Sequence, residues 1–268
     1  MKDITIAILG SGVMGTAVAT AILKTLDPKI IACGTNEARL RESFQDYPQV
    51  EISAGIEQNK DAIKKADVII LGCKPFMYQQ IYNEISSSLN GSQLLISLLA
   101  GTTIKELSIF TPYVAKVMTN TPAKFGCGTA AISYSSETTQ DKKDLVEKLI
   151  STIGLVVNIP EKNMDAATAL IGSGPAFVLL MMESLIDGGV RMGLPFDIAK
   201  QSAAKVMEGT AKMVLETGEH PAVLKSKVCT PAGTTIGGLL KMEDGNIRSS
   251  IARGVEEAAN ISASFAKK

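Results

Sequence analysis

The chain carries one histidine, four cysteines and no tryptophan in 268 residues, and its charges cancel, with 27 lysines and arginines against 27 aspartates and glutamates. Each shortage removes a class of function. With no net charge and no basic block, there is no electrostatic footprint for nucleic acid or anionic lipid, so a small molecule is the expected partner. Cys33, Cys73, Cys127 and Cys229 are scattered without a CxxC pair. Neither a zinc site nor a disulfide framework is expected, and the thiols read as small buried hydrophobes. No apolar run approaches the length a membrane span requires, and an opening strand passes straight into a glycine turn without the layout of a signal peptide. A soluble, cytosolic protein of two medium domains is expected. The lone histidine, His220, precedes Pro221 in a loop after a helix. Capping suits it there better than the general-base work a hydroxy-acid dehydrogenase would require.

What is present is an alternation. Residues 4–9, 29–33, 67–73, 93–99 and 114–118 are apolar β-rich runs separated by helix-like stretches, too continuous for strands with one face in water. They predict a doubly wound α/β layer around a parallel sheet, which residues 128–134 and 155–157 extend on one side. Between those two, Thr138-x-x-Asp141 predicts a helix start. After about Asn163 the strand signal ceases, which divides the chain into a Rossmann-type domain over 1–162 and an all-helical domain over 163–268. In the helical part, Phe177, Leu180, Met181, Ser184, Leu185 and Gly188 keep helical spacing, while Val178, Leu179, Met182 and Ile186 make the other faces apolar too. Such a helix must be buried all round, and so small a domain can hardly enclose it alone. A symmetric dimer with interleaved helices is expected. Pro195 opens the next helix, Gly218 closes it as a left-handed cap, and the last helix runs from about Asn246.

The segment AILGSGVMGT, residues 7–16, places the GxGxxG spacing directly after a strand and before an Ala-rich helix. That is the order a dinucleotide fingerprint requires. Gly10 permits the tight turn, Gly12 the approach of a pyrophosphate, and Gly15 close helix packing; Ser11, Val13 and Met14 complete the turn at the helix N-terminus. At the end of the second strand no Asp or Glu awaits a ribose 2′-hydroxyl. Thr35, Asn36 and, one helical turn on, Arg39 stand there instead, a set suited to a 2′-phosphate, so NADPH is favoured over NADH. Cys73, Lys74 and Pro75, like Ala100 and Gly101, follow strands at carboxyl ends, where a nicotinamide half would lie.

The long helix GSGPAFVLLMMESL has no lysine, unlike the reductases of β-hydroxy acids, whose first long helix after the sheet carries one as acid or base. What remains is CTPAGTTIGGL, residues 229–239, where Thr230, Gly233, Thr234 and Thr235 set hydroxyls and backbone N–H groups at the start of a short helix, a neutral site for a carboxylate. It holds no strong proton-transfer group. A substrate reduced without one is a cyclic imine that arrives protonated, and the site then has only to orient it, anchor its carboxylate and hydrogen-bond its nitrogen.

With this loop the chain resembles pyrroline-5-carboxylate reductases over essentially its whole length. Four blocks carry the resemblance: Gly10 to Gly15, VMTNTPAKFGCG from Val117, ALIGSGPAFV from Ala169, and CTPAGTTIGGL from Cys229. The resemblance implies hydride transfer from NADPH to the C=N carbon of 1-pyrroline-5-carboxylate, giving L-proline, with NADH as the second donor. It implies that the Thr235 hydroxyl, the catalytic one, bonds the imine nitrogen with Thr230 beside it, and that Gly233 and Thr234 hold the carboxylate. Asn59 would touch the cofactor ribose; Lys74, Pro75, Ala100 and Gly101 would lie along the nicotinamide. Asn120, Thr121 and Pro122 would form the loop between cofactor and substrate. The family's signature loop comes from the partner subunit, and bacterial members often join five dimers in a ring. Two departures stand out: Lys116 where Arg is common, and Ala232 where Gly is common. The six-membered imine, a β-hydroxy acid and a dinucleotide sensor without turnover are the competing readings.

Overall fold

The structure, a computed structural model, describes residues 3–265. It falls into two compact units: one runs to Ser173 and takes in the chain from Glu256 onward, and the other is Gly174–Val255.

The first unit is built on eight strands, β1 Thr5–Leu9, β2 Lys29–Gly34, β3 Glu51–Ala54, β4 Val68–Leu71, β5 Leu94–Ser97, β6 Val114–Met118, β7 Gly128–Tyr134 and β8 Gly154–Asn158. Helices α1 Val13–Thr25, α2 Glu37–Ser43, α3 Ile56–Lys65, α4 Tyr78–Ile85, α5 Ile104–Leu107 and α6 Gln140–Ile150 connect them. The order is β3-β2-β1-β4-β5-β6-β7-β8. Alternation within β1 explains the two-sided burial. Ile6 and Ile8 join Val18 and Ile22 of α1 and Val146 of α6 on one face. Ala7 and Leu9 join Ile63 of α3, Ile85 of α4 and Leu107 of α5 on the other. A strand buried on both faces reads as continuous apolar sequence, which is why these strands were visible.

Two features depart from the expected parallel sheet. β7 runs antiparallel to β6, with β8 parallel to β7. The edge strand β3 was missed: only four residues long and half-buried, it carries no periodic signal. The helix expected at Thr138 begins at Gln140 instead. Thr138 is buried, and its hydroxyl donates to the Val114 carbonyl at 3.3 Å and shares a hydrogen bond with Ser135 at 2.8 Å, so it ties the start of α6 to β6 rather than capping it.

Past β8, α7 Met164–Ala167 still packs on the sheet, Met164 lying with Met118 and Ala131 in a small core. The first unit therefore extends beyond the expected division at residue 162. The second unit holds α8 Gly174–Arg191, α9 Phe196–Thr217, α10 Pro221–Val228, α11 Thr234–Asp244 and the start of α12 Ile247–Phe265. Gly218 ends α9 at φ 65°, the left-handed cap expected.

Helix α8 shows the largest difference from a closed fold. Of its residues Ile186 alone is buried, while Leu179 and Leu180 are 60% and 63% exposed. The helical run Glu161–Arg191 is long and apolar enough to cross a membrane, which corrects the expectation that no such run exists. An apolar helix waiting for a protein partner meets the same length and composition test.

Candidate active site

Strands β1 to β6 all point one way, so their carboxyl ends open on one edge of the sheet. The chain runs outward from β1 through β2 to β3, then returns to β4 on the other side of β1. The connections diverge there and leave a crevice at the glycine turn. The same edge collects Gly10–Gly15, Thr35–Arg39, Cys73–Pro75, Ala100–Gly101 and Asn120–Pro122.

The turn is built as its spacing requires. Gly10 sits at φ +101°, and a Cβ there would strike the backbone of Gly72 and Cys73. A Cβ on Gly15 would strike the Gly10 carbonyl. Gly12 differs: apart from its chain neighbours, nothing lies within 4 Å of its Cβ position. It caps α1 without a side-chain hydrogen bond, and the first turn holds no acidic residue. Free N–H groups and the positive end of the helix dipole thus face open space. The Ser11 hydroxyl is buried with no hydrogen-bond partner among the described residues, an orphan in the same turn. These features fit a bound pyrophosphate. Val13 is 77% exposed beside them.

At the end of β2, Asn36 caps α2 by accepting the Arg39 backbone N–H at 3.0 Å. This leaves Thr35 and the Arg39 guanidinium exposed. Arg41 is instead held by Glu37 at 2.7 Å; no ion pair ties Arg39 among the described residues. Asn59 is 6% exposed. Its Oδ1 accepts from Ser53 Oγ at 2.9 Å, and its Nδ2 donates to the Gly34 carbonyl at 3.0 Å. Its amide thereby fixes the end of β2.

On the other side of the crevice, Lys74 and Pro75 are exposed, while Cys73 is half-buried and burial pushes its thiol up to about 11. Cys33 is buried and its thiol rises to about 12, mainly from burial. Cys127 is exposed, which corrects the expectation that all four thiols are core hydrophobes. Asn120 Oδ1 accepts the Thr129 backbone N–H at 3.2 Å, holding the loop that carries exposed Thr121 to β7. The Thr119 hydroxyl just before it is buried and unpartnered among the described residues, a feature no sequence signal announced.

In the second unit, Gly233 caps α11 and donates its N–H to the Thr230 carbonyl at 3.1 Å. Thr230 and Thr234 are exposed and Thr235 half-buried. The loop therefore presents three hydroxyls and a helix N-terminus, with no titratable side chain among Thr230 to Thr235. His220 is spent elsewhere: it caps α10, its Nδ1 accepting the Ala222 N–H at 3.2 Å.

Comparison with known proteins decides the family. Residues 161–265 match the family described as pyrroline-5-carboxylate reductase dimerisation, and residues 5–101 match "NADP oxidoreductase coenzyme F420-dependent". A pyrroline-5-carboxylate reductase of Kluyveromyces lactis is 46% identical over the full length of both chains. The chain belongs to the pyrroline-5-carboxylate reductase family. A Schizosaccharomyces pombe member is 36% identical, covering 97% of this chain and 98% of its own. The solved Plasmodium falciparum pyrroline carboxylate reductase with NADP bound is 28% identical, with TM-score 0.88 and 99% of each chain covered. The Coxiella burnetii pyrroline-5-carboxylate reductase is 26% identical, with TM-score 0.89 over both whole chains.

Both departures from the family pattern have visible geometry. Ala232 lies at φ 57°, the left-handed region that L side chains rarely adopt, so the loop keeps its glycine-like path at the cost of strain. Lys116 is buried on β6 with its ammonium 3.8 Å from Glu161 Oε1. Burial pushes it below the ordinary lysine value against the pull of Glu161, Asp165 and Glu106.

Proposed function

We propose that this chain reduces 1-pyrroline-5-carboxylate to L-proline with NADPH; relatives that align with it end to end are named pyrroline-5-carboxylate reductases. The observation that carries the reading is the pairing of a phosphate-fitting glycine turn with a threonine loop that lacks any strong acid or base. A protonated cyclic imine needs no enzymic proton donor. It needs its ring held against the hydride donor and its charges met. NADPH supplies the hydride when bound at the carboxyl edge of the sheet. Gly12 and the N-terminus of α1 hold its pyrophosphate, Thr35 and Arg39 meet the 2′-phosphate, and Cys73, Lys74, Pro75, Ala100 and Gly101 flank the nicotinamide.

Thr235 bonds the imine nitrogen with Thr230 beside it, the Thr234 backbone N–H at the Gly233 cap of α11 meets the substrate carboxylate while the Gly233 N–H keeps the Thr230 carbonyl as its partner, and Asn120 and Thr121 line the passage between substrate and cofactor. The partner subunit supplies the threonine loop. Five such dimers in a ring and a cytoplasmic location complete the proposal. Absorbance of NADPH followed with racemic 1-pyrroline-5-carboxylate, the six-membered imine and a β-keto acid tests it. Rapid oxidation with the five-membered imine alone is the expected result. Binding of NADPH without turnover on any of the three would overturn it in favour of a sensor.

A further inference from the structure

The chain leaves the first unit after Ser173 and re-enters it through the end of α12. Two residues of that returning stretch are placed with care. Ser262 is 2% exposed, and its hydroxyl donates to Asp165 Oδ1 at 2.7 Å. Phe265 lies against Gly101, whose φ is +71°; a Cβ on that glycine would stand 2.7 Å from the Phe265 Cβ. Gly101 belongs to the loop assigned above to the nicotinamide end of the cofactor.

The same loop is gripped again three residues further on. The Ile104 N–H, at the start of α5, donates to Glu161 Oε1 at 2.7 Å. Thr103 and Glu106 close a capping box there, with the Thr103 N–H donating to Glu106 Oε2 at 2.7 Å. Glu161 also faces the Lys116 ammonium, and Asp165, the partner of Ser262, acts on that same buried charge. Two polar anchors thus stand beside the loop, the Ser262–Asp165 hydrogen bond and the Glu161 carboxylate that holds the backbone of α5 and faces Lys116, while Phe265 seats on the loop directly. Nothing in the proposed reaction uses these side chains.

We propose that the last turns of α12 clamp the Ala100–Gly101 loop, with Phe265 and Ser262 as positioning residues for the nicotinamide end of the cofactor site. α12 begins in the second unit and its last turns belong to the first, against this loop. The assignment of that loop to the nicotinamide rests on the functional reading above. A loop held at φ +71° has other conformations open to it, and removing the ring that covers it frees it to sample them.

The test uses the full-length protein with Phe265→Ala and Ser262→Ala, each assayed for steady-state constants and for NADPH binding by fluorescence titration. Phe265→Ala is expected to raise both the KM and the dissociation constant for NADPH about tenfold, leaving the KM for 1-pyrroline-5-carboxylate unchanged. Phe265→Leu, which refills the space over Gly101, is expected to restore most of that loss. Ser262→Ala gives the same pattern with a smaller change, and stands in should Phe265→Ala fail to fold. NADPH constants equal to the parent's in the folded variants would overturn the clamp. So would equal losses for both substrates, which mark a general loss of fold. The titration needs no turnover, so it judges the clamp even if the parent protein oxidises no NADPH with the imine, an outcome that speaks only against the proposed reaction.

Discussion

The two units bury apolar surface in opposite ways. The large fully buried side chains, Ile6, Ile22, Ile63, Ile70 and Leu95 among them, lie in the sheet unit, where strand and helix faces close on each other. In the helical unit the buried hydrophobics among the described residues are Ile186, Ala199, Ala203 and Leu224, while Leu180, Leu215 and Met192 are 63%, 77% and 84% exposed. The first unit closes its own core, and the second carries half of one. Each such side chain covered by a partner contributes about 1.5–3 kcal/mol, so the second unit's stability is inseparable from the dimer. Function is divided along the same line: the cofactor edge is built within the self-sufficient unit and the threonine loop within the dependent one.

The largest expected effect breaks that comparison at its dependent side. Leu180→Glu sets an unpaired carboxylate in the apolar face of α8, at a cost of several kcal/mol if that face is buried between subunits. Light scattering on the eluting protein should show monomer in place of the parent oligomer, with activity lost alongside. An unchanged mass would mean that this part of α8 faces something else. Next comes the closed side, where Gly10→Ala meets both a positive φ and the Cys73 backbone. A loss of about 3 kcal/mol in chemical denaturation is expected, with the oligomer of the folded fraction intact; a parent-like midpoint would contradict the packing of the turn.

Smaller effects separate the two functional halves. Thr235→Ala should remove about 2 kcal/mol of transition-state stabilisation, read from kcat/KM, while NADPH binding stays near the parent's. A parent rate would reject the role of the hydroxyl. Arg39→Ala, on the exposed end of the cofactor edge, should cost about 1 kcal/mol in NADPH binding and almost nothing for NADH. Equal losses for both cofactors would reject the 2′-phosphate assignment.

The legibility of the chain followed the same division. β1, β4 and the glycine turn could be read directly because burial on both faces leaves continuous apolar runs and because φ above zero singles out glycine. His220 read correctly as a cap, since Pro221 takes the first position of a helix and leaves its predecessor to cap it. β3 escaped because four half-buried residues at an edge carry no period. The bonds of Asn59 to Ser53 and the Gly34 carbonyl escaped as well, since those partners meet it only once the sheet has formed. Thr138 misled in the same manner, its hydroxyl being claimed by β6 across 24 residues.

By itself the sequence determined what depends on neighbours along the chain: the two-sided strands, the turn that only glycine can make, the left-handed cap at Gly218, and a helix apolar on every face that so small a domain could not enclose. The tertiary structure alone decided the reversal of β7, the burial of Lys116 among carboxylates and the return of α12 onto Gly101. Those contacts join residues from 13 to 164 positions apart, from the Met118–Ala131 pair to Gly101 and Phe265, and no local pattern encodes a partner that only the folded chain brings within reach.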